Sequence, residues 1–130
     1  MQLLLDTHAF IWAITADPRL GSHSRALITN KAASVQLSHV SLWEIAIQHS
    51  LARADMPLSA AQGIAWAEQS GFELLPIDLP HLLTLEALPL HHRDPFDRLL
   101  VAQALREGLT LLTADAAFGA YGCLLQDARR

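Results

Sequence analysis

Apolar positions along the chain fall into two kinds of segment. The first is a short, nearly continuous apolar or β-branched run: Gln2 to Leu5, Ser34 to Ser38, Phe72 to Ile77, Leu109 to Thr113 and Cys123 to Leu125. Runs of that length read as buried strands, and Pro76 weakens the third. The second kind repeats its apolar residues every three or four positions and reads as helix. Helices are expected over Thr7 to Ile14, Ser22 to about Asn30, from Ser41 onward, after Ser59 to about Ser70, from Asp78-Leu79-Pro80, and from Asp97 to Gly108. Asp17-Pro18, Gly71 and Gly108 punctuate them. Ala116 to Ala120 adds one helical turn, and Leu82, Leu83, Leu85 and Leu88 are expected in the core. Strands alternating with helices make one α/β domain over residues 1–130, with a mainly parallel sheet flanked by helices.

The stretch from Arg93 to Leu105 organises the chain. Pro95 keeps Asp94 out of the helical region. Counting 100° per residue from Asp97 puts Leu100, Val101, Ala104 and Leu105 on its face. Leu99 points the opposite way, and Ala102, Gln103 and Arg106 occupy the far side. A carboxylate at the edge of a core-seeking face either caps its helix or needs a partner charge, N–H donors or a metal. Glu44 poses the same choice. It shares a stripe with Val40, Ile47 and Leu51, or else it is an exposed glutamate favoured by the helix start. Asp6 and Asp115 sit at strand tips, where ligands gather in open α/β sheets. For Asp6 a helix-capping role is compatible with a ligand role.

Composition narrows the class. Apolar residues make up 52% and charged residues 17%, which excludes a disordered chain. No apolar run approaches a membrane span, and the start lacks the basic region of a signal peptide. The single Cys123 excludes an internal disulfide or a thiolate zinc cluster and fits a reducing cytoplasm, as a small buried hydrophobe. Nine Arg and Lys against thirteen Asp and Glu do not announce a polyanion binder. A polyanionic substrate would therefore need cations at the acids.

Asp6, Glu44, Asp97 and Asp115 form the candidate constellation, with Asp94 as an outlier that caps its loop or pairs with Arg93 or Arg98. Four clustered carboxylates cannot all remain ionised without a cation among them. Oxygen-only ligands suit Mg²⁺ or Mn²⁺, and such a site activates water and neutralises a phosphodiester. Arg93 and Arg98 flank the acids and are candidates for phosphate contacts or salt bridges. The seven histidines, His91-His92 included, offer no HExxH-like zinc helix. His8 is expected beside the first helix, and Trp12, Trp43 and Trp66 in the core. Phosphatases and receiver domains that also begin with a strand ending in Asp need a lysine, and Lys31 is poorly placed.

The chain resembles the PIN-domain ribonucleases, in particular the VapC toxins of bacterial toxin–antitoxin pairs. The marks are Leu3-Leu4-Leu5-Asp6-Thr7-His8, Ser41-Leu42-Trp43-Glu44-Ile45, His92-Arg93-Asp94-Pro95-Phe96-Asp97-Arg98-Leu99-Leu100 and Leu112-Thr113-Ala114-Asp115. Together, in order, they span nearly the whole chain. The resemblance implies a catalytic quartet of Asp6, Glu44, Asp97 and Asp115, and a parallel sheet. It also implies Mg²⁺ or Mn²⁺ dependence, RNA cleavage, a homodimer and inhibition by a cognate antitoxin protein. Within that picture Asp6 and Asp97 are the expected metal ligands. The alternative is a catalytically silent module of the same fold that binds RNA or protein. That reading expects a broken quartet, and here the quartet is complete.

Overall fold

The computed structural model describes residues 1–130. Five strands form one parallel sheet: β1 (Gln2–Leu5), β2 (Ser34–Ser38), β3 (Glu73–Leu75), β4 (Thr110–Thr113) and β5 (Leu125–Asp127). Six α-helices accompany them: α1 (Thr7–Ile14), α2 (Ser22–Thr29), α3 (His39–Ser50), α4 (Ala60–Gln69), α5 (Leu79–Ala87) and α6 (Pro95–Glu107). A 3-10 turn over Ala116–Tyr121 precedes β5. No helix is long and apolar enough to cross a membrane.

The strand order is β3-β2-β1-β4-β5. The chain builds outward from β1 to β3, then crosses back to lay β4 on the other side of β1. Between β1 and β4 the winding direction reverses, which opens a crevice at the carboxyl ends of those strands. Leu3, Leu4 and Leu5 are all fully buried, because helices cover both faces of the central strand. Alternation then divides them. Leu3 and Leu5 join Phe10, Leu37, Ile45 and Leu112 in one core, and Leu4 joins Val40, Leu100, Val101, Leu111 and Phe118 in the other.

Several sequence expectations need correction. Strand β3 stops at Leu75, because Pro76 has no N–H for the ladder and its carbonyl accepts from Gln103 instead. The last strand lies two residues later than the Cys123–Leu125 run. Helix α6 begins at Pro95, capped by Asp94 rather than Asp97. It ends at Gly108, whose φ of 68° suits glycine. Leu99, Ala102 and Gln103 are buried and Leu105 is exposed. Helix α6 packs against α5, α3 and β4, so its middle is enclosed on nearly every side. Leu82 and Leu83 are exposed rather than core, as are Trp43 and Trp66; only Trp12 is buried. Cys123 is half-buried, with its thiol near the Phe118 carbonyl.

Candidate active site

Asp6 follows β1 at the reversal and is buried. Its Oδ1 accepts from the Ala9 N–H at 2.8 Å, which caps α1. Its Oδ2 accepts from the hydroxyl of Thr113, the last residue of β4. That same hydroxyl oxygen accepts from the Asp115 N–H at 3.0 Å. Asp115 in turn caps the 3-10 turn through the Ala117 N–H. Adjacent parallel strands thus bring Asp6 and Asp115 together through one threonine.

Glu44 reaches the crevice from the second turn of α3 and is buried, so the exposed reading fails. Thr7 donates to its Oε1 at 2.6 Å, and Gln48 Nε2 lies 3.2 Å from its Oε2. The Ser41 hydroxyl, one turn earlier, is 3.0 Å from Thr7. The stripe expected around Glu44 holds only at Val40, since Ile47 and Leu51 are exposed.

Asp94 accepts the Phe96 and Asp97 N–H groups and so caps α6. It makes no ion pair with Arg93 or Arg98. Capping by Asp94 frees the Asp97 side chain to turn toward His92, whose Nε2 lies 3.4 Å from Asp97 Oδ2 and 3.1 Å from Asp115 Oδ2. His92 Nδ1 accepts the Asp94 N–H at 3.1 Å. In the neutral ring the proton therefore sits on Nε2, which donates between the two carboxylates. The ring is stacked on Phe118, and the His92 N–H donates to the Tyr121 hydroxyl. His92, Asp97 and Asp115 offer ligand atoms all within 4.8 Å of one another.

The acids act on one another electrostatically. Burial, then Asp94, Glu44 and Asp6, push the Asp97 carboxyl up to about 7, against the pull of His92. Burial also raises Asp6, with Asp115 adding to it, although Thr113, Ala9 and His8 oppose. Glu44 is raised by burial, then by Asp94 and Asp6, with Thr7 and His8 opposing. Burial would raise Asp115 as well, but hydrogen bonds from Ala117 and His92, with the His92 charge, outweigh it and leave it lowered. In three of the four carboxyls burial, aided by neighbouring carboxylates, thus disfavours the charged form.

A model of the family described as the PIN domain matches residues 3–122. The chain belongs to the PIN-domain family. No relative matches among curated proteins. Among solved structures the chain is similar to VapBC2 from Rickettsia felis bound to a promoter DNA fragment, at 18% identity, 98% of each chain covered and a TM-score of 0.72. It is also similar to DNA-bound VapBC from Salmonella typhimurium, at 19% identity, 98% of each chain and 0.70. FitAcB from Neisseria gonorrhoeae follows at 19%, 97% of each chain and 0.63. At these identities the likeness speaks to the fold.

In this PIN domain a cavity of about 590 Å³ lies away from the acids, between the end of α1, the start of β2 and the end of α4. It contains no carboxylate, so the acids and not the cavity mark the candidate chemistry. Sequence reading discounted His92, which sits in a loop where no periodicity points to it. Pairing of Nδ1 with the N–H two residues on is its one local signal. Arg98 does not face the acids as a phosphate contact. Its Nη2 donates to the Leu88 carbonyl, and its Nε is buried without a partner. Arg93 is exposed.

Proposed function

We propose that this PIN domain is a divalent-metal-dependent ribonuclease of the VapC type, the toxin of a toxin–antitoxin pair. One observation carries the reading: where the sheet order reverses, Thr113 joins Asp6 to Asp115, His92 joins Asp115 to Asp97, and Thr7, next to Asp6, holds Glu44. The donor set fits a hard cation. It is rich in carboxylate oxygen, contains no thiolate, and has raised carboxyls that a cation would relieve.

Asp6 and Asp97 would hold the ion, with Asp115 and Glu44 completing the site directly or through water. Bound Mg²⁺ or Mn²⁺ supplies charge neutralisation at the phosphodiester and a water of lowered pKa. The chain's own residues do the rest. Glu44 Oε1 is occupied by Thr7, while Oε2 has only Gln48, so Oε2 is the oxygen able to take a proton from attacking water. His92 keeps Asp97 and Asp115 facing each other.

The named relatives VapBC and FitAcB are complexes, which supports an antitoxin partner for this chain. A homodimer belongs to the same proposal. Trp43 and Ile47 on α3, with Leu51 at its C-cap, form one exposed apolar row at spacings of four residues. The free thiol of Cys123 suits a cytoplasmic site of action.

The test uses protein purified free of antitoxin, structured RNAs and Mg²⁺ or Mn²⁺. Asp97→Asn and Asp6→Asn should lose metal affinity and cleavage together. Asp94→Asn should cap α6 as before and stay active. Millimolar metal should raise the wild-type melting temperature. RNA cleavage by Asp97→Asn at the wild-type rate would overturn the mechanism.

A further inference from the structure

Beside the acids runs a second feature that no motif marks. A groove of about 440 Å³ is lined by Asp6 and Asp115 together with His8, Trp12 and two guanidinium groups, Arg19 and Arg129. Its volume lies in the range of about 300–1,000 Å³ typical of ligand sites. The arginines come from opposite ends of the sequence, so only the fold unites them.

Neither arginine hangs loose. Arg19 Nε lies 3.1 Å and Nη2 2.7 Å from Asp17, and the guanidinium lies 4.9 Å from the Trp12 ring centroid. Asp17 and the indole fix the plane of the head and leave Nη1 unengaged. Arg129 Nη1 donates at 3.3 Å to the carbonyl of Ala114, the residue before Asp115. The simpler reading of Arg19 is a surface ion pair. It leaves unexplained why a guanidinium with unused donors lines the same groove as the acids. Arg98 is turned inward, Arg25 reaches the Asp17 carbonyl, and the exposed Arg93 does not line this groove.

We propose that Arg19 and Arg129 form a phosphate-binding subsite that holds the RNA strand beside the acidic site. The ligand is the phosphodiester next to the one over the acids. Two planar forks with unused N–H donors match its non-bridging oxygens. The subsite answers a difficulty of charge. The chain is net −4 and its site is acidic, so a polyanion needs local cations to approach. The assignment rests on the nuclease reading for the identity of the polyanion as RNA.

The experiment is fluorescence anisotropy with a labelled single-stranded oligoribonucleotide in EDTA, where no metal-dependent cleavage occurs. Arg19→Gln and Arg129→Gln should each weaken binding about fivefold and reduce the salt-dependence slope by about 0.7, the value for one phosphate contact on a single strand. Arg106→Gln is the charge-matched control. It lies at the end of α6, away from the strand tips, and should bind as wild type. Equal weakening by all three would mean diffuse net charge and overturn the subsite, as would no weakening. If wild type cuts no RNA in Mg²⁺ but the arginine pattern holds, the subsite stands and the nuclease reading falls. If wild type cuts and both variants bind normally, the nuclease reading stands and the subsite falls.

Discussion

The hydroxyl of Thr113 donates to Asp6 Oδ2 across the boundary between β4 and β1, at 2.5 Å. The two residues are 107 positions apart, and the parallel pairing of Leu5 with Leu112 makes them neighbours. Thr113 also receives the Asp115 N–H, so one side chain ties both strand-tip acids together. Thr113→Val keeps the shape and β preference but removes the donor from a buried carboxylate. Urea unfolding should show a loss of about 1–3 kcal/mol, and Thr113→Ser should recover most of it. Equal stability of the valine and wild-type proteins would deny the bond its role.

The raised carboxyls make the metal-free chain more stable in mild acid. An acid whose folded pKa is raised contributes stability that is fully present below its unfolded value and is lost as pH rises through the folded one. Asp97 spans the window from 3.8 to about 7, and Asp6 and Glu44 act in the same direction. Asp115, being lowered, acts the opposite way, and its contribution disappears only at still lower pH. Melting temperature in chelator should therefore rise as pH falls from about 7.5 to 4.5. Asp97→Asn should melt about 2–6 °C above wild type at the upper end and flatten the profile. His92 is the group that opposes the Asp97 shift, so His92→Ala should move the Asp97 titration above its present value. Carboxyl-carbon NMR reads that directly, and an unmoved midpoint would remove His92 from the account.

What the sequence revealed of this site has a physical pattern. Asp6 and Asp115 were visible because a carboxylate directly after an apolar run has few places to be except a strand tip. Asp97 and Glu44 were visible because a charge inside an apolar period demands an explanation. Leu99 was misread because angular counting assumes one buried face, whereas α6 is pressed by α3, α5 and β4 at once. Gln103 falls on the far side in the same count, and is buried there for the same reason. Arg19 and Arg129 were not singled out, since a turn and a terminus have no periodicity and only the fold brings them to the acids. His92 stood beside Asp94 and Asp97, but in a loop with no periodicity to assign its direction.

Gln103 leads to a further expectation. It is fully buried, accepts from the Ser38 hydroxyl at 2.5 Å, and donates to the Pro76 carbonyl at 3.2 Å. Ser38 caps α3, which carries Glu44, and Gln103 belongs to α6, which carries Asp97. Buried His81 continues the network, with Nδ1 accepting from Asp78 and Nε2 2.9 Å from Glu107. Gln103→Leu leaves the buried Ser38 hydroxyl without its acceptor and the part-buried Pro76 carbonyl without its donor. Chemical denaturation should show a loss of roughly 2–4 kcal/mol. A wild-type midpoint would mean that the network contributes no net stability.

The last expectation concerns assembly, and the structure changes its basis. The sequence suggested Leu99 as the outward residue, but Leu99 is only 5% exposed. One uncovered apolar row lies instead on α3 and its C-cap, where Trp43, Ile47 and Leu51 are 49%, 37% and 64% exposed. Trp43 meets the Phe96 ring edge-on at 4.7 Å, which ties that row to the start of α6. A second copy laid on this face would remove it from water and brace the two helices that carry Glu44 and Asp97. Sedimentation velocity at micromolar concentration should show a dimer. Ile47→Glu with Leu51→Glu puts two charges into that contact, where burying either without a partner costs several kcal/mol. The double variant should sediment as a folded monomer with an unchanged circular-dichroism spectrum. A wild-type monomer, or a double variant that stays dimeric, would place any self-association elsewhere on the molecule.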